Sequence, residues 1–144
     1  MKTEDMKAYT DIEQSKKLAE ILPLESADMR YGYIAPYENY DSMYDGGYDE
    51  IPYPNDFLIK NSNFSAKEYD AKLPCWSLSS LLNYLREVDL FPKIDADEFN
   101  VIMTINYHDK KDGITPIHQI KVKAENFIDA IYEMIIKLHE QKLL

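Results

Sequence analysis

The chain has 144 residues and a mass of 16.9 kDa, a length that fits one domain, since domains commonly run to about 100–200 residues. Sixteen basic residues against 26 acidic ones give a formal charge of −10, which repels the phosphate backbones that nucleic-acid binders attract with Lys and Arg. One cysteine, Cys75, excludes an internal disulfide. The N-terminus has no apolar leader, and no apolar run approaches the roughly 20 residues that span a bilayer, so the expectation is a cytoplasmic protein that binds neither nucleic acid nor membrane directly.

In chain order, Ala8, Ile12, Leu18, Ala19, Ile21 and Leu22 recur with a helical period. Thr10 or Asp11 can cap the start and Pro23 stops it, so a helix is predicted over about 10–22. Tyr31, Tyr33 and Ile34 suggest a short strand between Met29 and Ile34 that ends before Pro36. Residues 35–56 hold Pro36, Gly46, Gly47, Pro52 and Pro54 among tyrosines and acids and sustain neither period, so they read as an irregular insert. Phe57, Leu58 and Ile59 read as a brief strand. Trp76, Leu78, Leu81, Leu82 and Leu85, with Ser77 as cap, predict a helix over about 77–87.

A hairpin carries the clearest local pattern. Val101, Met103, Ile105 and Tyr107 alternate with Asn100, Ile102, Thr104, Asn106 and His108, and after Asp112 and Gly113, His118, Ile120, Val122 and Ala124 alternate with Ile117, Gln119, Lys121 and Lys123. Opposed residues of an antiparallel pair share a face, so apolar must meet apolar, and paired numbers must have an odd sum. A sum of 225 pairs Tyr107 with His118 and Met103 with Val122 and leaves Asp112–Gly113 as a two-residue turn; odd neighbours such as 223 also satisfy the rule. The other face, with Asn100, Thr104, Asn106, Gln119, Lys121 and Lys123, is expected to stay wet. Asn126 then caps a helix over about 126–141 whose stripe is Phe127, Ile131, Met134, Ile135 and Leu138. The expected fold is α+β in the order α-β-loop-α-β-β-α: a small antiparallel sheet with helices on one face, in a single domain over 1–144 carrying the insert at about 35–56.

His108, His118 and His139 with Asp109 and Asp112 are ordinary metal-ligand types, but odd-sum pairing sends His108 and His118 to opposite faces, so no metal or other cofactor is expected. Cys75, ahead of the capping Ser77, could be activated by a helix N-terminus, although free cysteines more often pack as small hydrophobes. Asp95, Asp97 and Glu98 resemble the start of a calcium loop but lack its glycine and closing Glu. No catalytic residue is therefore assigned.

Charge and tyrosine are concentrated together. Residues 23–59 carry eight acids against Arg30, a net of −7, and Tyr31, Tyr33, Tyr37, Tyr40, Tyr44, Tyr48 and Tyr53 interleave with them. Tyrosine supplies contact area at low rotamer cost together with a hydroxyl, and it is enriched at interfaces. Tyr37, Tyr40, Asp41, Tyr44, Asp45, Tyr48, Asp49 and Tyr53 are accordingly the candidate partner-binding residues.

The stretch Lys2–Arg30, the block Cys75, Trp76, Ser77, Leu78, and the ending Ala124, Glu125, Asn126, Asp129, Ala130 and Met134–Leu144 resemble a family of small uncharacterised proteins of phages and mobile elements of gut Bacteroidetes. The resemblance covers about half of the chain and brackets a variable middle; where that family often carries a Trp, Arg, Cys run, this chain reads Val101–Thr104. It implies a mobile-element accessory protein and brings no activity with it. The expectation is a non-enzymatic protein that binds a protein partner. The alternatives are an acidic nucleic-acid mimic or an antitoxin-like inhibitor of a host protein, for which the hairpin-then-helix order offers a topological analogy to HicB-type antitoxins. A small thiol-dependent enzyme built on Cys75 ranks below both.

Overall fold

The computed structural model describes residues 7–34, 47–48, 51–54, 73–108 and 117–144. The fold is α+β: among the described residues are three α-helices and two three-stranded antiparallel sheets, with a further two-stranded pairing. By contacts the chain divides into two compact units, Thr10–Ser80 and Met1–Tyr9 with Leu81–Leu144.

In the Thr10–Ser80 unit, α1 (Ile12–Ala19) opens on a capping box: Asp11 Oδ1 accepts from Gln14 N at 2.7 Å and Gln14 Oε1 accepts from Asp11 N at 3.1 Å. The helix stops at Ala19, short of the expected Leu22; a turn then leads to Pro23 and a 3₁₀ turn over Leu24–Ser26. The expected strand from Met29 to Ile34 is two short strands, β1 (Met29–Tyr31) and β2 (Tyr33–Ile34), separated at Gly32. The insert expected to be irregular contributes strands where it is described. β3 (Gly47–Tyr48) pairs with β2, and β4 (Tyr53–Pro54) pairs with β1. On its other side β1 pairs with β5 (Leu73–Cys75), a strand the sequence pattern did not reveal. Among the described residues the sheet order β4-β1-β5 puts Pro54 and Pro74 in the two edge strands, where a residue without an N–H is tolerated. α1 packs on β5, and Leu18, Leu22, Ala27, Tyr31, Leu73, Cys75 and Trp76 are buried.

α2 (Leu78–Glu87) starts where Ser80 N donates to the Ser77 side chain at 3.2 Å, as the capping expectation required, and the unit boundary falls within it. Its C-terminus is a Schellman motif: Asp89 N bonds Arg86 O at 3.1 Å and Leu90 N bonds Leu85 O at 2.8 Å, with Asp89 left-handed at φ 61°. β6 (Lys93–Ala96), unforeseen in the sequence pattern, pairs with β7 (Val101–His108), which pairs with β8 (Ile117–Ala124). The hairpin register is one of the odd sums allowed, 225, with Tyr107 opposing His118 and Met103 opposing Val122. Val101, Met103, Ile105, Ile120 and Val122 are all buried. The expected Asp112–Gly113 turn and the Phe57–Ile59 strand lie outside the described residues.

α3 (Phe127–Glu140) packs on β7 and β8. Asn126 Oδ1 accepts from Asp129 N at 2.8 Å, so the predicted cap forms. The stripe is rotated slightly from expectation: Ile128, Ala130, Ile131, Met134, Ile135 and Leu138 have no exposed surface, while Phe127 is only half-buried. Burial of each large aliphatic side chain stabilises by about 1.5–3 kcal/mol relative to exposure, so this helix and the apolar sheet face form the core of their unit. A second Schellman motif ends the helix, Lys142 N to His139 O at 3.0 Å and Leu143 N to Leu138 O at 2.9 Å, with Lys142 at φ 60°.

Candidate functional site

The candidate residues of the acidic segment divide by where they lie. Tyr37, Tyr40, Asp41, Tyr44, Asp45 and Asp49 are outside the described residues. Tyr48 lies in β3, opposite Tyr33, and Tyr53 in β4, opposite Arg30, half-buried. The neighbouring Ile51 is 65% exposed. Tyr31, counted with the interleaved tyrosines, is instead core: it is 2% exposed and its hydroxyl donates to Thr10 O at 2.6 Å. A buried tyrosine needs such a partner, so this ring belongs to the scaffold and offers nothing to a ligand.

Thr10 is the centre of that scaffold rather than a helix cap. Its backbone N donates to Trp76 O at 2.9 Å, and its hydroxyl accepts from Trp76 N at 3.1 Å and meets Ser15 Oγ at 2.8 Å. Its carbonyl takes both the Tyr31 hydroxyl and, at 3.3 Å, the Cys75 thiol. Thr10 and Ser15 have no exposed surface, and each buried polar atom named here is hydrogen-bonded. Trp76 Nε1 donates to Ser26 Oγ at 2.9 Å, and the Asp28 carboxylate accepts from Ser77 N at 2.9 Å and from the Ser77 hydroxyl. These bonds stitch the segment before α1 to the segment before α2. Nothing in the spacing of Thr10 announces the role, because its partners are set by tertiary pairing.

The same surroundings define Cys75. It has no exposed surface, and burial, the dominant effect, pushes its thiol above the ordinary value of 9.0, with hydrogen bonds from Thr10, Ser15 and Tyr31 pulling the other way. A neutral, enclosed thiol is a poor nucleophile. Tyr107 and His118 stack with ring centroids 5.3 Å apart and planes at 27°. His139 Nδ1 lies 3.2 Å from Leu144 O. Among the described residues no three His, Cys, Asp or Glu side chains converge on a point that could hold a metal ion. Asp97, weighed as a calcium-loop residue, instead closes the β6–β7 turn: its Oδ1 accepts from Phe99 N and Asn100 N, each at 2.8 Å, and these bonds hold its carboxyl below the ordinary value.

The face of the β6-β7-β8 sheet opposite the buried residues is open. Its register aligns Lys93 with Thr104 and Lys121, and Asp95 with Ile102 and Lys123. All three lysines and Asp95 are exposed, Ile102 and Thr104 are half-buried, and Gln119 Nε2 donates to Asn106 Oδ1 at 3.2 Å along the same face. The wet character expected of this face is thus present, and β6 adds a third lysine that the hairpin pattern alone did not supply. No helix among the described residues is long and apolar enough to cross a membrane. Comparisons with protein-family models, with curated proteins and with solved structures find no match to this chain.

Proposed function

We propose that this chain is a non-enzymatic interaction protein, an accessory protein of a phage or mobile element working in the cytoplasm, that engages a protein partner through Tyr37, Tyr40, Asp41, Tyr44, Asp45, Tyr48, Asp49 and Tyr53. One observation carries the reading: net charge −7 and, besides the buried Tyr31, six of the chain's 12 tyrosines fall within residues 23–59. Protein interfaces favour aromatic anchors within a polar rim, and tyrosine loses little rotamer freedom when it is immobilised. The enclosed Cys75 speaks against the thiol-enzyme alternative. The test replaces residues 37–50 with a Gly/Ser linker of equal length and compares proteins captured from the native host by mass spectrometry. Loss of a specific partner is the expected result; an unchanged set of partners refutes the reading.

The charge of −10 also supports a second reading, an inhibitor whose carboxylates stand where phosphates would lie in a host protein's basic groove. That reading requires the captured partner to bind DNA or RNA and to release it when this chain is added. Co-purification with a toxin would identify the inhibitor as antitoxin-like.

A further inference from the structure

The acidic segment leaves a second, oppositely charged surface unused. Lys93 and Lys121 flank Thr104 across the open sheet face, and Lys123 lies two residues along β8 from Lys121. Strand spacing and rise place the Lys93 and Lys121 backbones about 10 Å apart and those of Lys121 and Lys123 about 7 Å apart. None of the three is ion-paired with a carboxylate among the described residues, whereas other lysines of the chain are, Lys7 to Asp129 at 2.9 Å, Lys16 to Glu13 and Lys17 to Glu20 each at 3.5 Å. Among the described residues Asp95 is the one carboxylate aligned with them on this face, and Asp97 in the adjacent turn, which accepts two backbone N–H groups, is also in electrostatic reach of Lys123.

We propose that the open face of β6-β7-β8 is a docking surface for an extended acidic segment of a protein partner, its carboxylates meeting Lys93, Lys121 and Lys123 and its apolar side chains resting on Ile102. The complementarity is local. At physiological salt, charges beyond about 8 Å are screened, so an occupant of this face feels the three ammonium groups, offset in part by Asp95, rather than the −10 of the whole chain. Single-strand binders stack bases on aromatic rings, and no Phe, Tyr or Trp is among the described residues of this face. The surface is independent of the tyrosine segment, so failure of either reading leaves the other standing.

The test titrates the full chain into a fluorescein-labelled polyglutamate peptide and, separately, a labelled oligothymidylate of equal charge, following anisotropy at low and at physiological salt. Polyglutamate binding is expected, weakening as salt rises and weakening about ten-fold or more in the triple variant Lys93→Gln, Lys121→Gln, Lys123→Gln. Lys→Gln changes at exposed positions keep the fold, which an unaltered circular dichroism melt verifies. The linker variant of residues 37–50 is expected to bind polyglutamate at least as well as the native chain. No polyglutamate binding, binding unchanged in the triple variant, or oligothymidylate binding as tight as that of the peptide each overturns the proposal, the last in favour of nucleic acid.

Discussion

Replacing Thr10 with valine tests the buried polar knot with little change of shape. Valine fills nearly the same volume, so the change deletes the hydroxyl and spares the backbone bonds to Trp76, Tyr31 and Cys75. Trp76 N–H loses its acceptor at 3.1 Å, while the Ser15 hydroxyl, 2.8 Å away, and the Cys75 sulfur, 3.6 Å away, each lose one hydrogen bond but keep the one between them. A stranded buried donor costs about 1–3 kcal/mol and a lost neutral hydrogen bond about 0.5–1.5 kcal/mol, so the expected destabilisation is about 2–4 kcal/mol, a large fraction of the roughly 5–15 kcal/mol typical of a folded domain. Thr10→Ser keeps the hydroxyl and is expected to cost about 1 kcal/mol, for one lost methyl. Ser15→Ala and Thr10→Val delete the two ends of one hydrogen bond, so the double variant is expected to fall short of additivity by about 1 kcal/mol. Trp76 is the chain's single tryptophan and is fully enclosed, so its fluorescence in a urea titration reports on this knot directly. A Thr10→Val cost below about 0.5 kcal/mol, or strict additivity with Ser15→Ala, refutes the assignment of the knot as a stabilising network.

In the other unit, Met134→Ala is expected to cost about 2–5 kcal/mol in chemical unfolding followed by circular dichroism, because its side chain has no exposed surface, and the half-buried Ile136→Ala clearly less. Lys142→Gly and Asp89→Gly relieve left-handed backbone at the two Schellman ends, and each is expected to raise the melting temperature, by about 0.5–1 kcal/mol of stability, with the larger gain at Lys142 because aspartate tolerates this conformation better than lysine. Cys75 is expected to resist thiol reagents at neutral pH in the native state. Its folded pKa lies above the ordinary 9.0, so the stability the neutral thiol contributes is fully present below that value and is lost as pH rises beyond it towards the folded pKa; a Cys75→Ala variant is expected to lose that alkaline decline in its urea midpoint.

The elements legible in the sequence are those whose signal is local and long. Parity alone restricts the β7–β8 register to odd sums, because Val101, Met103 and Ile105 must all meet apolar partners, and the observed pairing is one of those. The three helices declare themselves through caps and periodic leucines or isoleucines. The strands β3, β4, β5 and β6 escape because two to four residues cannot display a period, and two of them contain proline. Their pairing is decided by distant partners, as when Arg30 sits between Tyr53 and Pro74. For the same reason the acidic segment was visible as a composition while the inward turn of Tyr31 was not. The lysine face was half legible: Lys121 and Lys123 follow from hairpin alternation, but Lys93 joins them only through the unforeseen β6.

The prolines at both margins of the β4-β1-β5 sheet bear on how the protein behaves when concentrated. A strand arriving from another molecule needs an unbroken row of N–H donors and carbonyls to zip against, and Pro54 on one margin and Pro74 on the other each remove a donor from that row. A tyrosine-rich neighbourhood with strand-forming tendencies would otherwise invite fibrillar stacking; among the described residues, each outer strand of this sheet carries such a break.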